Sequence, residues 1–321
     1  MATTLLPPAT GRDENHVPLG RSDEKPAAAD GRRRWSGRAA RVVLLVALLG
    51  GHLAVRLHHN SHVGEMPGAR SDYSRSFGHS LSLLLGRGFN DVAVIGTPAA
   101  KPIDDFLWLR RGSLTREELD AYAADMPSPS QDPHYGNYRP LASTRILDLH
   151  LTAFLWRVFG VSWAVLYVAT VFASTFCCLL IFLIGRRLGG GFWPGLLAAA
   201  VFFASPMEKF LTGWSVRDSS PLWFAAAGFC VLAHFFDRKA SPRRYALGGL
   251  LLGAVVVLGT GWRMDALLLV PFLGVAAAVA AFAASRSVTS AAAAVMCFAA
   301  GGMAAHLLIG SLGPQERQSA G

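Results

Sequence analysis

Polar and apolar positions alternate along this chain in long blocks. A polar opening rich in Pro, Ala, Asp and Arg gives way at Arg41 to the run RVVLLVALLGGHLAV, which fades near Leu57. Further apolar blocks extend from about Val161 to Gly185, Gly191 to Ser205, Pro221 to Phe236, Tyr245 to Leu258, Ala266 to Ala284 and Val288 to Gly310. An α-helix rises about 1.5 Å per residue and a bilayer core is about 30 Å thick, so roughly 20 apolar residues cross it. The blocks predict about seven membrane-spanning helices, several near the lower length limit. The first lacks a small-x-small cleavage site and reads as a signal-anchor helix.

Between the first and second blocks the pattern changes scale. In Asp72–Leu85 the apolar residues Tyr73, Phe77, Leu81, Leu84 and Leu85 recur at steps of three and four, which is one face of an amphipathic helix. Such a helix lies in a membrane interface with its polar side toward solvent or a cavity. LTREELDAYAADM (Leu114–Met126) predicts another helix, and PHYGNYRPL (Pro133–Leu141) is an aromatic, proline-bearing stretch. The fold class is therefore an all-α multi-pass membrane protein with a large first extracytoplasmic loop carrying amphipathic helices. The expected organisation is a disordered cytoplasmic tail over 1–40, a first span over 41–57, the loop over 58–150, a helical membrane bundle over 151–312 and a tail over 313–321.

Composition agrees. Of 321 residues 52% are hydrophobic and only 16% charged, and the mean hydropathy is +0.36, more apolar than a solvated surface allows. The net charge of +9 could point to nucleic acid, but the basic residues flank apolar runs: Arg32, Arg33, Arg34, Arg38 and Arg41 before the first, Arg186 and Arg187 after the second. With the N-terminus cytoplasmic, alternation puts Arg186–Arg187, the segment Asp237–Arg244 and Arg286 all inside, as short basic loops require. The charge is thus about orientation in a plasma (inner) membrane, and nucleic acid is not an expected partner.

Several local signals have plain structural readings. Cys177, Cys178, Cys230 and Cys297 lie in apolar segments and read as small buried hydrophobes. His52, His58, His59 and His62 have helical spacing but no close carboxylate, and read as interfacial histidines. GHSLS (Gly78–Ser82) falls one residue short of a nucleophile elbow, which needs a sheet around it. Asp104–Asp105 reads as a solvated turn after Pro102. No phosphate-cradling glycine loop and no His-Glu-x-x-His is present.

A different set of charges comes to the outer side. Asp72 follows the first span, Arg139 precedes the second, Arg217 and Asp218 precede the fourth, and Arg263 and Asp265 open the sixth. Any one of them alone can snorkel or cap a helix. Together they place a carboxylate and several guanidiniums at a lipid–water boundary. Arginine's planar fork suits phosphate oxygens, and a carboxylate in reach takes the proton of an attacking hydroxyl.

SDYSRSFGHSLSLLLGRG (Ser71–Gly88) resembles the segment after the first span in the C-type (GT-C) integral membrane glycosyltransferases, the group of protein O-mannosyltransferases and aminoarabinose transferases. YRPLASTRILDLHLTAFLWRVFGVSW (Tyr138–Trp163) is similar to that family's Pro-Leu segment leading into a span. IGRRLGGGFWPGLLAAAVFFASP (Ile184–Pro206) resembles its next hairpin, and GGLLLGAVVVLGTGWRMDALLLVPFL (Gly248–Leu273) the glycine-rich span, basic residue and Pro-bearing span that follow. The ordered set covers roughly Ala69 to Ala284. The family usually has further spans and often a soluble C-terminal domain, so a truncated relative is expected.

The resemblance implies a glycosyltransferase moving a sugar from a polyprenyl-phosphate donor to an acceptor hydroxyl on the extracytoplasmic side, with inversion. It makes Asp72 the base, gives Arg139, Arg217 and Arg263 the donor phosphate, and leaves Asp218 and Asp265 to support their neighbouring arginines. The expected partners are the sugar-carrying polyprenyl phosphate and membrane lipids, with the acceptor undefined. No cofactor is required by these residues, and dependence on a divalent metal stays open. The alternatives are a lipid or solute transporter, which would bind near the midplane on repeated halves, and a non-catalytic membrane subunit.

Overall fold

A computed structural model describes residues 27–63, 77–88, 97–109, 112–125, 145–206, 208, 216–237 and 240–312. Its helices are α1 (Ala27–Val63), α2 (Gly78–Leu84), α3 (Lys101–Leu109), α4 (Arg116–Asp125), α5 (Ile146–Phe159), α6 (Trp163–Leu188), α7 (Phe192–Ala204), α8 (Val216–Phe235), α9 (Pro242–Trp262), α10 (Leu269–Ser285) and α11 (Val288–Leu312), with a 3₁₀ turn at Met264–Leu268. The chain divides into two units, Met1–Val43 and Leu44–Gly321; the packing below belongs to the second. Among the described residues the β structure is one isolated bridge, Ser113 to Ser162.

Five helical segments are long and apolar enough to cross a membrane: Gly37–His59, Trp163–Leu188, Pro242–Trp262, Met264–Ser285 and Val288–Leu312. Two more apolar helices, Phe192–Ala204 and Ser220–Phe235, are shorter. The seven apolar blocks are thus all helical, and five of them have full spanning length. Their outward faces carry exposed Phe172, Phe176, Trp193, Val201, Val275 and Met296, a surface that water does not tolerate and lipid does. Helix α1 begins at Ala27, inside the stretch expected to be tail.

Local chemistry explains the boundaries. Ser162 caps α6 by accepting from the Ala164 N–H at 3.2 Å, and Arg186 and Arg187 occupy its last turn, where the helix dipole favours cations. Pro242 starts α9. Thr115 and Glu118 form a capping box at α4: the Glu118 carboxylate accepts from Thr115 N–H at 2.8 Å, and Thr115 Oγ1 accepts from Glu118 N–H at 3.2 Å.

Helices α9 and α11 meet backbone to backbone. A Cβ added at Gly253 would lie 1.9 Å from the Phe298 carbonyl oxygen, and one at Gly249 would lie 2.2 Å from that of Ala294. This is the small-residue packing that lets membrane helices approach closely. The α6–α7 hairpin closes similarly, Gly195 sitting against the Phe182 carbonyl. Helix α1 lays Leu45, Leu48 and Leu49 against Cys178, Phe182 and Ala199 of that hairpin.

The short helices form a cap at one end of the bundle. Phe77, Phe106, Trp156 and Trp163 share a core, with Trp223 of α8 and Trp262 of α9 packed against it. Trp163 Nε1 donates to the Phe106 carbonyl at 2.8 Å. Gly112 and Gly160, at φ of 82° and 88°, allow the backbone to cross so that Leu114 N–H reaches Val161 O at 2.9 Å. Two features depart from the expected organisation. Helix α5 stands apart from α6, whereas the sequence pattern runs from loop straight into the span. Asp104 and Asp105 lie on helix α3, not in a turn, because Ile103, Phe106 and Leu107 bury its other face in the aromatic core.

Candidate functional site

The opposite end of the bundle is basic. The ends of α6 and α8 and the start of α9 meet there: Arg187 Nε donates to the Ala233 carbonyl at 3.2 Å, and Arg244 donates to that of His234 at 2.5 Å. At the capped end, one of the charged pairs singled out from sequence is described. Arg263 directly follows α9, and its Nε donates to Asp265 Oδ2 at 2.6 Å. That bond fixes the plane of the guanidinium. The pair is open to solvent, with side-chain exposures of 29% and 58%.

Arg217 and Asp218 fall on the first turn of α8, where the backbone alone is described. Asp72 and Arg139 lie outside the described residues, as does PHYGNYRPL. The residues that adjoin these positions nevertheless meet. Phe77, five residues after Asp72, shares the aromatic core with Trp223 and Trp262. Ile146 and Leu149 of α5 pack with Leu83 of α2, Val257 of α9 and Ile309 of α11. Ser80, in the elbow-like GHSLS, donates from Oγ to the Leu149 carbonyl at 3.0 Å, so it pins α2 to α5 as a structural residue.

A second charged site lies inside the spans, and the sequence pattern did not announce it. His52 and Arg56, one turn apart on α1, continue the packing stripe of Leu45, Leu48 and Leu49. Between them and α6 sits Glu208, just past α7 and 2% exposed; His52 is 0% and Arg56 4% exposed. Glu208 Oε1 accepts from Ser174 Oγ at 2.5 Å and faces His52 Nε2 at 3.2 Å, and the other carboxylate oxygen pairs with Arg56. Arg56 also donates to the Phe203 carbonyl at 2.8 Å and lies over the Phe203 ring. His52 is therefore a buried, bonded residue, not an interfacial one.

His52 Nδ1 lies 2.9 Å from Thr175 Oγ1, and that hydroxyl donates to the Val171 carbonyl at 2.9 Å. By helical rise Ser174 is about 11 residues, roughly 16 Å, from the Trp163 end of α6, and His52 about seven residues, roughly 10 Å, from the His59 end of its span. Both positions lie well inside helices long and apolar enough to cross a membrane.

The signal that could have found this site was present: two ionisable residues one turn apart inside an apolar block, and an acid directly after another. Their pairing across 156 residues was not legible. Among the described residues no three of His, Cys, Asp and Glu come together as a metal-ligand set, and Cys177 and Cys178 are fully buried free thiols. Comparison with family models, curated proteins and solved structures finds no match to this chain.

Proposed function

We propose that the chain is a seven-span plasma-membrane glycosyltransferase, its N-terminus cytoplasmic, that moves a sugar from a polyprenyl-phosphate donor to an acceptor hydroxyl at the capped, outer end. The observation that carries this reading is the cap itself. A set of short helices between the first span and the bundle packs, through one aromatic core, beside the chain neighbours of Asp72, Arg217 and Arg263. The basic residues Arg186, Arg187, Arg243 and Arg244 at the opposite end support the orientation.

In this mechanism the Asp72 carboxylate takes the acceptor's hydroxyl proton, and the acceptor oxygen bonds to the anomeric carbon. The anomeric carbon–oxygen bond to phosphate breaks on the opposite face, and the phosphate leaves with the electron pair. Arg139, Arg217 and Arg263 hold that developing charge, with Asp265 fixing the Arg263 plane and Asp218 acting likewise on Arg217. General-base catalysis is worth roughly 10²–10⁴ in rate. Asp72→Asn is therefore expected to lower sugar transfer by about that factor in proteoliposomes carrying polyprenyl-phosphate sugars, with expression unchanged; full activity would remove the base assignment.

A second reading is favoured by the Glu208 site. A carboxylate, an imidazole and a guanidinium buried within spans are the groups that proton-coupled carriers use. This reading predicts solute uptake into vesicles that responds to a pH gradient and is lost in Glu208→Gln, without any transfer chemistry.

A further inference from the structure

A groove of about 990 Å³ opens between α6 and α8, a volume near the upper end of the usual ligand range of roughly 300–1,000 Å³. Its walls are apolar: Ile184 and Leu188 from α6, Ala225, Phe229 and Leu232 from α8, and Ala198 from α7. It follows α8 from Leu222 to Phe236, about 14 residues or roughly 21 Å. One leaflet of hydrocarbon is about half of 30 Å, so the groove is long enough for a chain from a single leaflet.

One end of the groove is charged. Arg187 and Asp237 line it and pair with each other. Arg244 reaches the last turn of α8 from the start of α9. Arg186 and Arg243, their neighbours in sequence on the same helix ends, are exposed and make no ion pair among the described residues. Four arginines thus belong to the helix ends that meet at the mouth of an apolar slot, Arg187 lining it beside the Asp237 carboxylate. The two inner arginines are occupied in capping the carbonyls of α8; the two outer ones are not.

We infer that this groove binds an anionic glycerophospholipid, one acyl chain along α8 and the phosphate at the arginine cluster. The charge selects this occupant. A neutral lipid fills the slot and leaves the excess positive charge uncompensated, and an apolar helix does the same. A second copy of the chain, related by a twofold axis along the membrane normal, would bring a second arginine cluster against the first. An anionic headgroup supplies both the apolar chain and the countercharge, as basic pockets between membrane helices do for acidic lipids. The site lies at the opposite end from the proposed transfer chemistry and does not depend on it.

The test is native mass spectrometry of the full chain, released from detergent containing either phosphatidylglycerol or phosphatidylcholine with the same acyl chains. Phosphatidylglycerol is expected to stay bound at roughly thirtyfold higher affinity, the effect of two surface arginines on an anionic headgroup. The double variant Arg186→Gln/Arg243→Gln should bring it down to the phosphatidylcholine level. Ala225→Phe, which fills the slot, should lower both. Thermal melting supplies a second readout, since phosphatidylglycerol should raise the Tm of the parent chain and not that of the arginine variant, whose changes are at exposed positions. Equal retention of the two lipids, an arginine variant that binds like the parent, or a lipid-free dimer would each overturn the inference.

Discussion

Two arginine–carboxylate pairs of the protein stand in opposite settings. Arg263 and Asp265 are two residues apart, at a helix junction open to solvent. Arg56 and Glu208 come from distant parts of the chain and are almost wholly buried, with His52 and Ser174 completing the carboxylate's shell. The first pair loses little hydration and gains little, roughly 0–1 kcal/mol. It is suited to exchanging partners, as the phosphate-holding role proposed for Arg263 requires. The second has given up water altogether, so its members depend on one another. The same chemistry makes a replaceable contact in one place and a fixed joint in the other.

The strongest way to break the comparison is Glu208→Ala. It leaves two buried basic groups without their carboxylate and is expected to cost about 3–5 kcal/mol, read as a drop in unfolding temperature of the detergent-solubilised chain. Next comes the triple change His52→Leu/Arg56→Met/Glu208→Leu. Apolar replacement of a complete buried ion cluster is often neutral or stabilising, so most of that loss should return. If the triple variant is as unstable as Glu208→Ala, the cluster has a role beyond mutual neutralisation. Ser174→Ala removes one hydrogen bond to a charged acceptor and should cost roughly 1.5–3 kcal/mol.

The smallest stability effect belongs to Asp265→Asn, below about 1 kcal/mol and weaker still in high salt. In a transfer assay, however, this variant should raise the KM for the lipid-phosphate donor, because the Arg263 plane is no longer held. A stability loss there as large as that of Ser174→Ala would show that exposure does not distinguish the two pairs.

The sequence pattern resolved what depends on local composition. Ser162, Arg186–Arg187 and Pro242 mark the ends of α6 and the start of α9, and the apolar blocks map onto α6 to α11 with small shifts. Helix α5 was invisible as a separate element because its residues are apolar on several sides: Phe154, Val158 and Phe159 are exposed while Leu149 and Trp156 are buried. Hydropathy therefore runs on into α6, and only the turn at Gly160 separates them. At the capped end Arg263 and Asp265 were legible as charges beside an apolar block, and they do pair. The Glu208 site was not, because an acid at the end of a span looks the same whether it faces solvent or a partner 156 residues away. Burial, which separates the two pairs, is a property of tertiary packing.

That long separation has a consequence for biosynthesis. The first span is made, and inserted, well before its carboxylate partner exists. At about 5–20 residues per second, the 156 residues between His52 and Glu208 take roughly 8–30 s to synthesise. Until Glu208 is made, His52 and Arg56 lack the carboxylate that pairs with them in the folded chain, and the stretch of α1 that carries them has only its leucine stripe to pack.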